Sequence, residues 1–142
     1  MRFMMIVKSD KNAEAGVLPS AELVAAMDRF NEEMTDAVVL LAGEGLHPSA
    51  KGARVTFHRD GRRTVTEGPF ADPKHLVAGF WMIQVKSKEE AIEWASRCPD
   101  PATGGETSEI EIRQVFDLSD FPQELQDAAP HEAAMRSERC GS

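Results

Sequence analysis

The densest group of chemically versatile side chains lies at residues 67–75. This stretch reads Glu67-Gly68-Pro69-Phe70-Ala71-Asp72-Pro73-Lys74-His75. It combines two carboxylates, an amine and an imidazole with a Gly-Pro pair that indicates a turn. The stretch matches no phosphate loop, zinc site or nucleophile elbow, so it does not specify a reaction by itself.

Two roles for this loop are open from the sequence. In the first, Lys74 pairs with Asp72 or Glu67 to hold the loop, and Phe70 anchors it in apolar surface. In the second, the loop borders a cleft, and Glu67, Asp72, Lys74 and His75 contact a polar small molecule. Binding residues commonly lie on loops carried by a rigid sheet. His75 is equally compatible with an exposed loop histidine.

A second candidate site is the glycine-flanked carboxylate in the segment Gly43-Glu44-Gly45-Leu46-His47-Pro48. Glu44 is a candidate general base if burial raises its pKa towards neutrality, and His47 is a candidate acid–base partner. The alternative is structural, with Glu44 capping amides or pairing with Lys74 or Arg54, and His47 exposed on a loop.

Metal, cofactor and disulfide chemistry are not indicated. Four side chains have suitable ligand types for a divalent ion: Glu44, His47, Asp72 and His75. Their spacing matches no known metal motif, so we predict no metal and no cofactor. Cys98 and Cys140 likewise have neither motif spacing nor a secretory context, which favours structural or incidental roles.

The composition describes an acidic globular protein. The 142 residues carry a formal net charge of −8, which opposes binding to the phosphates of nucleic acid. No apolar run approaches the roughly 20 residues that cross a bilayer, and no signal peptide is recognisable. We therefore predict a cytoplasmic protein without nucleic-acid or membrane partners. A folded domain is expected at residues 1–118, followed by an acidic, flexible tail at 119–142.

Hydrophobic periodicity predicts the secondary structure. Strands are expected near residues 3–7, 38–42, 54–58, 62–66, 76–85 and 109–116, and helices near 20–38 and 87–98. Ser20 and the Ser87 to Glu90 capping box mark the helix starts, and Asp60-Gly61 marks a hairpin turn. Residues 10–16 are expected to form a polar loop. The predicted core faces are Leu23, Met27, Phe30, Met34 and Val38 on the first helix, and Ala91, Ile92, Ala95 and Cys98 on the second.

With the hairpin set aside, the element order is βαββαβ. This order predicts an α+β, ferredoxin-like fold with an inserted β-hairpin and both helices on one face of an antiparallel sheet. The central strands carry more large apolar residues than two helices can cover: Phe3, Phe80, Trp81 and Met82. We therefore expect the other sheet face to meet the same face of a second subunit in a homodimer.

These motifs together resemble the YCII-related proteins, in particular the branch with a DGPFAETKE signature. That signature corresponds to residues 67–75, with Glu67, Asp72, Pro73 and His75 replacing the family's residues. Further similar segments follow in the family's order: Arg2-Phe3-Met4-Met5, Gly43-Glu44-Gly45-Leu46, Ala78-Gly79-Phe80 and Glu90-Ala91-Ile92-Glu93-Trp94-Ala95. The resemblance spans about residues 1–118.

The resemblance implies a dimeric α/β-barrel type of fold with a cleft between sheet faces. Some YCII relatives look like small-molecule enzymes that use a His-Asp pair, for instance in dehydrochlorination, and DGPF-type proteins often accompany extracytoplasmic-function sigma factors. The histidine of the enzyme branch would fall within the first helix. This sequence has no histidine between Ser20 and Leu46, which departs from that branch.

Two functions from different classes follow. The first is a small enzyme or ligand-binding protein with a cleft at the dimer interface, in which Glu44 or His47 moves a proton on a polar or aromatic small molecule. A pocket of roughly 300 Å³ or more with Glu44 and Asp72 convergent would favour it. The second is a non-catalytic regulatory protein, linked to a sigma factor, whose hairpin and acidic tail contact another protein.

Overall fold

A computed structural model of the chain contains a four-stranded sheet, helices packed on one of its faces and a separate hairpin. It describes residues 1–102 and 105–140, with side chains up to residue 136. The strands are β1 (Arg2–Lys8), β2 (Leu40–Gly45), β3 (Ala53–Phe57), β4 (Arg63–Glu67), β5 (Val77–Gln84) and β6 (Ile110–Gln114). The helices are α1 (Lys11–Glu14), α2 (Ala21–Asp36), α3 (Lys88–Arg97), α4 (Gln123–Asp127) and α5 (Pro130–Cys140).

The large sheet has the strand order β2-β5-β1-β6, and every neighbouring pair in it is antiparallel. The predicted α+β class is therefore confirmed. β5 and β1 are interior strands, as expected from their nearly continuous apolar sequences. β3 and β4 form their own two-stranded sheet, the predicted hairpin.

The hydrophobic core lies between one face of the sheet and the helices α2 and α3. Its buried side chains come from alternate strand positions and from one side of each helix: Phe3, Met5, Val7, Trp81, Ile83, Phe30, Met34, Ala91 and Trp94. Because strand side chains alternate between faces, the intervening Met4, Ile6, Phe80 and Met82 lie on the opposite face. These four side chains are only partly buried.

Helix α2 begins where the sequence predicts. The Ser20 hydroxyl accepts a hydrogen bond from the Leu23 amide at 3.1 Å. The predicted core position at Val38 is wrong, because the helix ends at Asp36 and Val38 turns into the left-handed region with φ of 58°. The Val39 amide then donates to the Met34 carbonyl at 2.9 Å, which closes the last turn. Val38 is left 86% exposed.

Helix α3 is capped by Ser87, whose hydroxyl accepts from the Glu90 amide at 3.2 Å. The reciprocal contact differs from a standard capping box, since the Glu90 carboxylate accepts from the Lys86 amide at 2.8 Å. The predicted core position at Ile92 is wrong, and Trp94 is buried instead. The spacing from Ala91 to Trp94 matches one helix face, whereas Ile92 lies about 100° away from Ala91 around the axis.

The segment expected to form a polar loop departs from that expectation, whereas the flexibility of the tail stays a prediction. Residues expected to form a polar loop contain the short helix α1, capped by an Asp10 carboxylate that accepts from the Ala13 amide at 2.7 Å. The tail, predicted to be flexible, contains α4 and α5, and Arg136 donates to the Phe116 carbonyl at 3.1 Å. Gly141, Ser142 and the side chain of Cys140 lie outside the described residues. Within the described chain, the helices are too short or too polar to cross a membrane.

Candidate functional site

A cavity of about 470 Å³ lies between α2, the α1 segment and the β2 side of the sheet. Its wall is largely apolar, with side chains that include Val17, Pro19, Leu23, Val24, Met27 and Trp81. Two carboxylate residues, Asp10 and Glu44, also border it. A concave, mostly apolar space of this size with few polar groups is the usual form of a small-molecule site.

The floor of this cavity contains glycines of the sheet, which have no side chain to project into it. Gly43 and Gly45 of β2 and Gly79 of β5 all line it. A Cβ atom added at Gly43 would lie 2.6 Å from Cδ1 of Trp81, and one at Gly79 would lie 2.9 Å from the Glu44 carbonyl oxygen. Both distances are shorter than Cβ contacts found in proteins, so only glycine allows β2 and Trp81 to approach this closely.

Trp81 is a fixed part of the cavity wall. Its indole Nε1 donates to the Asn31 side-chain oxygen at 2.8 Å, and its ring meets Phe30 edge to face with centroids 5.4 Å apart. Because the polar atom of the indole already has a partner on α2, a molecule in the cavity meets mainly the apolar ring.

Glu44 lies at the border of the cavity. In the strand register Glu44 is opposite Phe80, and Gly43 is opposite Trp81. Residues directly opposite on antiparallel strands project to the same face, so the Glu44 side chain lies with Phe80 on the face turned away from α2. The carboxylate is exposed, and the backbone of residues 43–45 forms the adjoining floor of the cavity. The edge position of β2 therefore puts Glu44 between the cavity and the open sheet face.

The other predicted site residues lie elsewhere on the surface. His47 is exposed on the loop after β2, and Glu67 is exposed at the end of β4. Asp72 has φ of 59° and precedes a 3₁₀ turn that carries the exposed Lys74 and His75. Among the described residues, the cavity wall includes none of these five. Across the residues that the structure describes, no salt bridge joins Lys74 to Asp72 or Glu67. In those residues no cluster of His, Cys, Asp or Glu is arranged for a metal ion.

The Gly-Pro-Phe part of the 67–75 stretch instead packs against a second segment of backbone. The Phe70 amide donates to the Ser49 hydroxyl oxygen at 2.9 Å, and the Gly68 amide donates to the Gly52 carbonyl at 3.0 Å. A Cβ atom at Gly68 would lie 1.7 Å from the Ser49 carbonyl oxygen. Glycine is therefore required at 68 by close backbone approach at the base of the hairpin.

Glu14 of helix α1 adds a third segment to this contact. We call the hydrogen-bonded group of Glu14, Ser49, Gly52, Gly68 and Phe70 the clamp. Its carboxylate accepts hydrogen bonds from both the amide, at 3.0 Å, and the hydroxyl of Ser49. On the other side, the guanidinium of Arg54 lies 3.8 Å from the centroid of the Phe70 ring. Neither Glu14 nor Ser49 was singled out from the sequence, because a contact between residues 35 positions apart leaves no local pattern. The clamp joins the hairpin base to α1, whose Ala13 lines the cavity.

A second groove, of about 360 Å³, lies between α3 and β6 and includes Cys98 and Asp100. Burial, with a smaller contribution from the charge of Asp100, raises the pKa of the Cys98 thiol to about 12. Hydrogen bonds from the Ala102 amide and the Ser108 hydroxyl lower the pKa of Asp100. A thiol that stays protonated is a poor nucleophile and a poor metal ligand, which favours a structural role for Cys98.

The architecture is thus an α+β domain with an apolar cavity beneath its first long helix and a clamped hairpin beside it. The chain belongs to the YCII-related domain family, whose match covers residues 1–119. The resemblance drawn from the sequence motifs is therefore confirmed for the family. No curated protein matches the chain.

Proposed function

We propose that this YCII-related protein binds a small, largely apolar molecule in the cavity beneath α2. The supporting observation is the 470 Å³ cavity with its apolar wall and two bordering carboxylate residues, Asp10 and Glu44. Carboxylates accept hydrogen bonds and repel anions. The ligand class is therefore a neutral or cationic molecule with an apolar body, aromatic or aliphatic, and at least one hydrogen-bond donor.

Proton transfer without a cofactor is the chemistry that we propose for an enzymatic role. Glu44 is the candidate base for a molecule that extends from the cavity past the edge of β2, because its carboxylate lies on the other side of that edge and can accept a proton there. His47, on the adjoining exposed loop, is the candidate partner. Glu67, Asp72, Lys74 and His75 remain candidates for contacts with a ligand that extends beyond the cavity.

A ferredoxin-like fold and a homodimer of the α/β-barrel type belong to the same proposal. The order β2-β5-β1-β6, with the hairpin inserted between β2 and β5, supports the ferredoxin-like assignment. The half-buried side chains of Met4, Ile6, Phe80 and Met82 on the helix-free sheet face support dimerisation through that face. The regulatory alternative with a sigma-factor link, the DGPF branch and the cytoplasmic location stay predictions.

The cavity can be tested with 1-aminoanthracene, a neutral fluorescent probe with an apolar body and one amine. Leu23→Trp should place the indole in the open space and weaken probe binding at least about tenfold, equivalent to about 1.4 kcal/mol. Ala25→Trp is the matched control, since Ala25 is exposed on the same helix and its indole would remain in solvent. Equal affinities of the two variants for the probe, or no binding to the unmodified protein, would contradict the proposal.

A further inference from the structure

The hairpin β3–β4 exposes a large apolar face. Val55 and Val65 lie directly opposite each other, and Phe57 follows on the same face of β3. These side chains are 53%, 64% and 69% exposed, respectively. An isolated two-stranded hairpin is only marginally stable in water, and exposed side chains of this size favour a covering partner.

The entrance of the cavity exposes a second apolar surface. Val17 and Val24 line the cavity and are about half exposed, and Leu18 beside them is 84% exposed. We call Val17, Leu18 and Val24 the cavity rim. In a single chain, the rim leaves the proposed ligand site open to water.

The segments that carry the two surfaces have opposite net charge. Residues 51–67 contain five lysines and arginines against two carboxylates, a net charge of +3. Helix α2, which carries part of the rim, contains five carboxylates against one arginine over residues 21–36, a net charge of −4. Opposite charges on facing surfaces accelerate association and determine its orientation.

The clamp holds the base of the hairpin against α1 of the same chain. Hydrogen bonds from Phe70 to Ser49 and from Ser49 to Glu14 hold the base against α1. Among the described elements, β3 and β4 pack extensively only against each other. A second copy of the chain presents the same acidic helix and rim. It can cover the apolar face of the hairpin without disturbing the clamp.

We propose that the hairpin of one copy lies across the cavity rim of a second copy, and that the partner's Phe57 closes the ligand site. In a two-fold dimer each cavity is then completed by the other chain. Glu44 and Phe80, which lie on the helix-free sheet face, also border the cavity. An interface on that face can therefore continue around edge strand β2 to the rim. This inference rests on the cavity being the ligand site.

Mixed disulfide cross-linking tests this contact. In a Cys98→Ala, Cys140→Ser background, a chain with Phe57→Cys is mixed with a chain with Leu18→Cys under mild oxidation. A disulfide-linked pair should form at least about tenfold faster than with the control chain Ser96→Cys, because a disulfide needs Cα atoms within about 7 Å. Ser96 is exposed on α3, whereas the rim residues lie on α2 and in the segment before it.

Two outcomes decide the matter. Preferential Phe57→Cys to Leu18→Cys cross-linking supports the inference. Equal rates with Leu18→Cys and Ser96→Cys, with all thiols accessible to a labelling reagent, overturn it. The titration of Leu23→Trp with 1-aminoanthracene tests the cavity separately, so a failure of the ligand site and a failure of the hairpin contact give different results.

Discussion

Gly68→Ala should open the base of the hairpin. The added Cβ atom would lie 1.7 Å from the Ser49 carbonyl oxygen, whereas Cβ atoms in proteins essentially never approach within 3.0 Å. The obstruction is backbone, so a side-chain rotation cannot relieve it. The two segments must separate by at least 1.3 Å, the difference between those distances.

The cost follows from the hydrogen bonds that cross this contact. The Gly68 amide bonds the Gly52 carbonyl at 3.0 Å, and the Phe70 amide bonds the Ser49 hydroxyl at 2.9 Å. With a net contribution of about 1 kcal/mol for each bond, their loss should lower stability by about 2 kcal/mol.

Urea unfolding and hydrogen exchange together measure this effect. Trp81 and Trp94 lie in the core and report global unfolding by fluorescence, while exchange at residues 53–67 reports local opening of the hairpin. Gly45→Ala is the control, because a Cβ there meets no atom within 4 Å, and its effect should stay within about 0.5 kcal/mol. Unchanged unfolding and unchanged hairpin exchange in Gly68→Ala would refute the reasoning.

Two further predictions concern Val38 and Cys98. Val38→Gly should raise the free energy of unfolding by about 0.5–1 kcal/mol, because φ of 58° strains a β-branched residue and glycine's larger unfolded-state entropy offsets only part of that strain. A loss of stability in urea would contradict this. In a Cys140→Ser background, Cys98 should react with iodoacetamide at about pH 8 at least about 100-fold more slowly in the folded state than in urea. Because its pKa is raised from 9.0 to about 12, the stability that Cys98 contributes is present below pH 9 and lost as the pH rises towards 12. Cys98→Ala should flatten that decline, and identical pH dependence of the two proteins would argue against a buried neutral thiol.

Local sequence signals predicted the elements well. The Ser20 cap, the Asp60-Gly61 turn and the alternation along β1 and β5 all appear in the structure, because each depends on neighbouring residues. At the turn, a hydrogen bond from the backbone amide of Arg62 and a smaller contribution from its side chain lower the pKa of Asp60. Val38 fits the spacing of the core face but lies beyond the end of α2, and Ile92 is apolar but lies off the core face of α3.

The candidate site was predicted less completely. Glu44 was singled out because of its flanking glycines, and those glycines line the cavity, while its role as a base stays a prediction. The signature at 67–75 was sufficient to recognise the family, but its Gly68 and Phe70 contribute to the hairpin clamp, and its charged residues lie outside the described cavity wall. Glu14 and Ser49 were missed because their types are common and their partners are distant in sequence.

The sequence by itself determined the α+β class, the order and approximate bounds of the main elements, the hairpin and the family. These properties follow from periodicity, capping and turn chemistry, which act over a few residues. Only the tertiary structure decided where the cavity lies, which glycines its floor requires and what the Gly68 to Phe70 segment contacts. Those features depend on how Trp81, Asn31, Ser49 and Glu14 meet across the fold, and packing between distant segments leaves no period in the sequence.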